Sequence, residues 1–218
     1  MSMSRTKIIA SDLTNLTDAR YFAAWEVDWI GFNLDAGSEH YLDPLKAMAI
    51  REWVDGPAIA GAFGLAEADE ILQRVSDLRL DTVLAGMFVS ADTVRTISER
   101  VPVIREIVVE KTISPDTIEQ QLEELAPFVE YFLLNFDKNG IHWTELKSGE
   151  LALDSFWLRE CCVRYPVLLS IDLDPQALEG ILAGIRPAGF DLRGGEEEKV
   201  GFKSFDQLDA LLEILRGQ

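Results

Sequence analysis

Pro166-Val167-Leu168-Leu169-Ser170-Ile171-Asp172-Leu173-Asp174-Pro175 reads as a buried strand that runs straight into a helix start. Apolar residues occupy consecutive positions, so both faces of the strand need cover, whereas a half-exposed strand would alternate. Asp174 then places a capping side chain ahead of Pro175, whose fixed φ suits the first helical turn. A strand covered on both faces and followed at once by a helix is the repeating unit of a parallel sheet.

The same unit recurs in both directions along the chain. Short apolar runs at residues 7–10, 29–34, 58–63, 82–85, 103–109 and 131–135 precede it. Stretches of helical period at 17–25, 44–54, 67–78, 91–100, 115–125 and 155–164 follow those runs in turn. Downstream of the helix at 175–184 come a strand at 189–192 and a helix at 204–216. Eight such units in 218 residues predict the α/β class and one (β/α)8 TIM barrel domain over residues 1–218. The longest irregular connection spans 136–153, a length at which loops are often functional.

Composition narrows the function. Apolar residues make up 48% of the chain, and 38 acidic against 20 basic residues give a net charge of −18. Nucleic acid and anionic lipid both rely on Lys/Arg contacts with phosphate, so neither is an expected partner. No apolar run is long enough to span a membrane. Residues 1–7 lack the apolar core of a signal peptide, and the expectation is a cytoplasmic protein, monomer or homodimer. Cys161 and Cys162 are adjacent, which suits buried helix residues rather than a disulfide. Trp25, Trp29, Trp53, Trp143 and Trp157 are read mostly as packing residues.

In barrels of this kind the loops that follow the strands build the site. That rule selects Ser11 and Asp12, Asn33 and Asp35, Phe63 and Gly64, Gly86, Glu110, Asn135 and Asp137. It also selects Ile171 and Asp172, and Asp191 with Arg193-Gly194-Gly195. Ser11 and Asp12 suit either proton transfer or plain capping of backbone groups. Asp12, Asp35, Asp137, Asp172 and Asp191 could gather a hard cation, but their spacing matches no metal motif. The expectation is no metal and no cofactor. Arg193-Gly194-Gly195 fits an anion nest or a simple turn, and Glu196 to Lys199 fits a solvated loop.

Several stretches carry a resemblance to a known family. Lys7-Ile-Ile-Ala-Ser-Asp-Leu-Thr-Asn-Leu-Thr-Asp-Ala19 resembles the K-I-C-G-I-T-N-x-x-D-A opening of phosphoribosylanthranilate isomerase. Gly31-Phe32 fits that family's G-F, and Ser38-Glu39-His40-Tyr41-Leu42-Asp43-Pro44 stands where it has S-P-R-Y-I-S-P. Gly189-Phe-Asp-Leu-Arg-Gly-Gly195 with Gly201-Phe202-Lys203 resembles G-V-D-V-S-S-G-V-E…P-G-x-K-D. The resemblance implies a TIM barrel of tryptophan biosynthesis, with a small-molecule ligand in the barrel mouth.

It also implies where the chemistry would sit. The family reaction is an Amadori rearrangement in which an Asp at the end of strand six protonates the ring oxygen. The Cys of K-I-C-G then takes a proton from the sugar C2. Those roles fall here on Ser11 and Asn135, neither of which titrates near neutrality. The Arg after S-P is His40, and Q-L-H-G becomes Leu84-Ala85-Gly86. G-G-T-G shrinks to Asn139-Gly140, and A-G-G becomes Ser170-Ile171-Asp172.

The expectation is therefore a divergent phosphoribosylanthranilate isomerase-like protein with no isomerase activity, or very little. Its catalytic positions are Ser11, Asp12 and Asn135, and its ligand-binding positions are His40, Asp172, Arg193, Gly194 and Gly195. One alternative is a different small-molecule enzyme using Asp12, Asp137, Asp172 or His40. Another is a non-catalytic ligand-binding barrel.

Overall fold

The computed structural model describes residues 5–194, 197–199, 202–203 and 205–217. Eight parallel strands close into a barrel: β1 (Lys7–Ser11), β2 (Trp29–Asn33), β3 (Ala58–Phe63), β4 (Thr82–Ala85), β5 (Val103–Val108), β6 (Tyr131–Asn135), β7 (Val167–Ser170) and β8 (Gly189–Arg193). β8 returns to β1 through five paired positions, from Lys7 opposite Gly189 to Ser11 opposite Arg193. The predicted (β/α)8 barrel is what the chain forms.

Helices α1 (Leu16–Ala24), α2 (Pro44–Arg51), α3 (Ala68–Leu78), α4 (Ala91–Ser98) and α5 (Pro115–Leu125) follow the first five strands. α6 (Trp143–Ser148) and α7 (Ser155–Arg164) follow β6, α8 (Pro175–Gly184) follows β7, and α9 (Asp206–Arg216) ends the described chain. Side chains of Ser90, Ser114, Asp154 and Asp174 each accept a backbone N–H from the first turn of α4, α5, α7 and α8. Such caps stabilise by about 1 kcal/mol each. They explain why these strands hand over to helices after so few residues.

Two stretches expected to be irregular contain structure. Within residues 136–153, α6 opens on a reciprocal cap between His142 and Glu145 and ends at Gly149 in the left-handed region. Past β8, β9 (Glu197–Lys199) pairs antiparallel with β10 (Phe202–Lys203), where the charge run suggested a solvated loop. Glu196 and Gly195 lie outside the described residues. Of the tryptophans, Trp29, Trp143 and Trp157 are buried and Trp25 packs against the core, but Trp53 is 71% exposed just past α2. Cys161 is buried in α7 and Cys162 beside it is half-buried, both as free thiols that burial pushes up to about 12.

Alternation along the strands sorts the core into two parts. Ile9, Trp29, Ala60, Leu84, Ile104, Leu133 and Leu168 form one buried cluster inside the barrel. A larger cluster, including Ile8, Ile30, Val83, Phe132 and Phe190, fills the space between strands and helices. The last helix is fastened to the start of the barrel: Arg216 of α9 donates to the carbonyls of Thr6, Trp25 and Glu26. Among the described residues, no helix is long and apolar enough to cross a membrane.

Candidate functional site

Moving two residues along a strand returns to the same face, so the layer above the apolar plug is set by the sequence. Above Ile9, Ala60, Ile104, Leu133 and Leu168 stand Ser11, Ala62, Glu106, Asn135 and Ser170. Asp191 of β8 lies opposite Ile9 and Arg193 opposite Ser11. Gly31 keeps β2 close to this layer, because a Cβ there would come 3.3 Å from Ser11 Cα. A cavity of about 350 Å³ opens above, at the ends of the strands from which the helices depart. Ser11, Asp12, Asn33, Glu106, Asn135 and Asp191 are among its lining residues.

On the β5–β6 side the polar groups satisfy one another. Asn135 donates through Nδ2 to Glu106 Oε1 at 2.8 Å. Lys138 Nζ lies 2.6 and 2.8 Å from the two Glu106 oxygens, and its backbone N–H donates to Asn135 Oδ1 at 3.1 Å. Glu106 is 6% exposed and Asn135 2%, so the pair sits inside the barrel with Lys138 reaching in from above. Next to Glu106, Arg105 points the other way. Its guanidinium donates to the carbonyls of Gly86, Met87 and Val89 and clasps the loop after β4. Burial lowers the Arg105 pKa from its ordinary value, and Glu106 opposes that shift.

The β8–β1 side is different. Asp191 is 5% exposed and its Oδ1 has no hydrogen-bond partner. Burial pushes its carboxyl up to about 7, and the charge of Asp12 adds to the rise, while Ser11, Ser170 and Arg193 pull it back. Asp12 adopts φ 55°, a left-handed backbone that Asp tolerates better than most residues. Its Oδ1 accepts from Asn33 Nδ2 at 3.1 Å. Asp137, half-buried beyond β6, accepts from the Ser170 hydroxyl at 3.2 Å, and burial raises its pKa too.

Of the residues singled out from sequence, Ser11, Asp12, Asn135, His40 and Arg193 all line the one cavity. His40 and Arg193 are exposed at its rim. Gly194 continues from β8 over α1, where a Cβ would meet Asp18 Oδ2 at 2.6 Å. Asp172 departs from expectation. Its exposed carboxylate turns to His142 Nδ1 at 3.3 Å and lines a separate cleft between α6 and α8. β7 ends at Ser170, the backbone N–H of Asp172 donates to Asp137 beyond β6, and Asp174 caps α8.

Sequence reading chose Glu110 at the end of strand five, yet β5 ends at Val108 and Glu110 is exposed. Glu106, Lys138 and Ser170 were missed. Arg105-Glu106 inside an otherwise apolar strand was the available signal, because buried charges occur almost only where they are paired. Among the described residues, no three of His, Cys, Asp and Glu gather closely enough to hold a metal ion.

The barrel thus brings Ser11 and Asn135 together at its mouth. The family model of N-(5'-phosphoribosyl)anthranilate isomerase matches residues 10–213. The chain belongs to the N-(5'-phosphoribosyl)anthranilate isomerase family, a family of tryptophan biosynthesis. The enzyme of that name from Thermotoga maritima is 26% identical, with 99% of this chain and 100% of that protein covered. Its crystal structure superposes with a TM-score of 0.76 at 23% identity, covering 98% of this chain and 100% of that one. A second phosphoribosylanthranilate isomerase structure holds reduced 1-(o-carboxyphenylamino)-1-deoxyribulose 5-phosphate. It gives a TM-score of 0.74 at 24% identity, covering 98% and 100% of the two chains.

Proposed function

We propose that this family member receives a small molecule in the barrel mouth but does not run the family isomerisation. One observation carries the reading: the two positions to which the resemblance assigns base and acid hold Ser11 and Asn135. A serine hydroxyl stays protonated near neutrality, and an amide has no proton to give in this sense. Asn135 is further committed on both sides, donating to Glu106 and accepting from Lys138. Losing a general acid or base costs about 10²–10⁴-fold each, so losing both removes most of an isomerase's advantage over the uncatalysed reaction. The altered positions for binding anions, His40 at the rim among them, point the same way.

A second reading, proton transfer on a different small molecule, is favoured by Asp191. A buried carboxyl titrating near 7 has the pKa that general acid–base work needs.

The deciding experiment is a steady-state isomerase assay on purified protein, paired with complementation of an isomerase-deficient strain. No turnover above a buffer blank is expected. Ser11→Cys with Asn135→Asp should restore little, because the new carboxylate would face Glu106 where the amide now donates. Robust turnover by the unaltered chain would end this reading, and strong rescue by the double variant would show that the proton-transfer residues were all it lacked.

A further inference from the structure

Large apolar side chains that stay exposed gather on one part of the rim. Tyr41 and Leu45 follow β2, Leu65 follows β3, and Met87 and Phe88 follow β4. Leu65 is 74% exposed and Phe88 68%. Single exposed apolar residues are ordinary, but a contiguous group marks a surface that meets something. Contiguity here follows from the backbone. β2, β3 and β4 are neighbours in the barrel, and the Gly86 N–H donates to the Phe63 carbonyl at 2.8 Å. A Cβ on Gly64 would come 2.5 Å from Asp35 Oδ2, and one on Gly86 3.1 Å from Gly64 Cα. The three connections are therefore packed on one another.

The chain also holds this part of the rim still. Arg105, itself buried, gives its guanidinium to the carbonyls of Gly86, Met87 and Val89. Burying a cation is costly, and here its donors fix the loop that exposes Met87 and Phe88. A surface fixed beforehand loses less conformational freedom on binding.

Charge decides what fits. Asp35, Glu39, Asp43, Glu67, Asp69 and Glu70 lie in the same stretches, 34–46 and 64–70, with Lys46 as the only lysine or arginine there. All of these acids but Asp35 are exposed. Such a border repels an anionic membrane. A second copy would set the same carboxylates against one another. A partner with Lys or Arg beside its apolar residues satisfies both features at once.

We propose that the rim over β2, β3 and β4 docks a basic amphipathic segment of another protein. Its apolar side chains cover Leu65, Met87 and Phe88, and its cations meet the flanking carboxylates. Gly64 and Gly86 of the same loops line the mouth cavity, so the partner sits beside the ligand's way in.

The test is calorimetric titration of the full chain with an amphipathic helical peptide of leucine and lysine. One control peptide has the same residues in scrambled order, and a second has glutamate in place of lysine. The first peptide should bind at least about tenfold more tightly than either control, and more weakly as salt is added. Leu65→Ser and Phe88→Ser should each weaken it about tenfold. Val163→Ser, equally exposed but on α7, should leave the affinity unchanged. All three positions are exposed, so the variants should keep the parent melting temperature. Absence of binding, equal binding of the scrambled peptide, or an affinity unchanged in both Leu65→Ser and Phe88→Ser would overturn the proposal. So would a concentration-dependent dimer abolished by Phe88→Ser, which would give the surface to a second copy. Binding to phosphatidylglycerol vesicles lost in the same variants would overturn it in favour of a membrane.

Discussion

On the β5–β6 side of the mouth a buried carboxylate meets an ammonium and an amide. On the β8–β1 side a carboxylate buried to the same depth meets neither. Glu106 has Lys138 and Asn135 at 2.6–2.8 Å, while Asp191 keeps one oxygen without a donor and has the Ser11 and Ser170 hydroxyls and the charges of Arg193 and Asp12 around it. Both are almost fully buried, so exposure does not separate them. What separates them is whether a cation bonds the carboxylate directly. Lys138, in the loop after β6, bonds both Glu106 oxygens, whereas Arg193, exposed at the end of β8, acts on Asp191 through its charge. One side is complete as built.

The sharpest way to break that contrast is to titrate it. The folded pKa of Asp191, about 7, lies above the ordinary value of about 3.9, so the native state binds this proton more tightly than the unfolded chain. Its stabilisation is complete below about pH 4 and is lost as pH rises through about 7. Guanidinium unfolding should lose up to about 4 kcal/mol across that window from this group. Asp191→Asn should flatten the slope and leave the variant the more stable protein at about pH 8. A slope that survives in the variant would place the proton elsewhere.

The complete side should respond to loss of its cation instead. Lys138→Met leaves Glu106 buried without the cation bonded to it. Removing one partner of a fully buried pair costs about 3–5 kcal/mol, and the half-exposed ammonium reduces this to about 2 kcal/mol. Adding Glu106→Gln should recover much of the loss, a coupling that a double-mutant cycle reads directly. The smallest effect belongs outside the mouth. Asp172→Asn removes an exposed contact with His142 and should change stability by less than about 0.5 kcal/mol, with ligand binding in the mouth untouched.

The barrel was readable because each of its units carries its own signal. Continuous apolar strands such as 167–170, and Ser-Pro or Asp-Pro helix starts, report local geometry that the neighbouring chain cannot disguise. Ser11 and Asn135 were found for a related reason: strand ends in such a fold have a known destination. Glu106 escaped because attention went to the residue after the strand, while the functional layer lies two residues before its end. Lys138 escaped because a lysine in a loop normally faces water, and only the three-dimensional path of residues 136–139 turns its ammonium inward. Asp172 failed the other way. Its position in sequence was right, but its carboxylate pairs with His142 in a separate cleft, and sequence spacing does not record which way a side chain turns.

Closure of β8 onto β1 has a temporal side. Lys7 waits for Gly189, about 180 residues later, before its strand gains a second neighbour. At roughly 5–20 residues per second on the ribosome, that interval is on the order of 10–40 s. Throughout it, one edge of β1 presents unpaired N–H and C=O groups, the feature that templates misassociation. Arg216 arrives later still, and with it the hydrogen bonds to Thr6, Trp25 and Glu26. Until β8 is made, β1 has β2 as its one possible neighbour, and the strands become a ring only when β8 reaches β1.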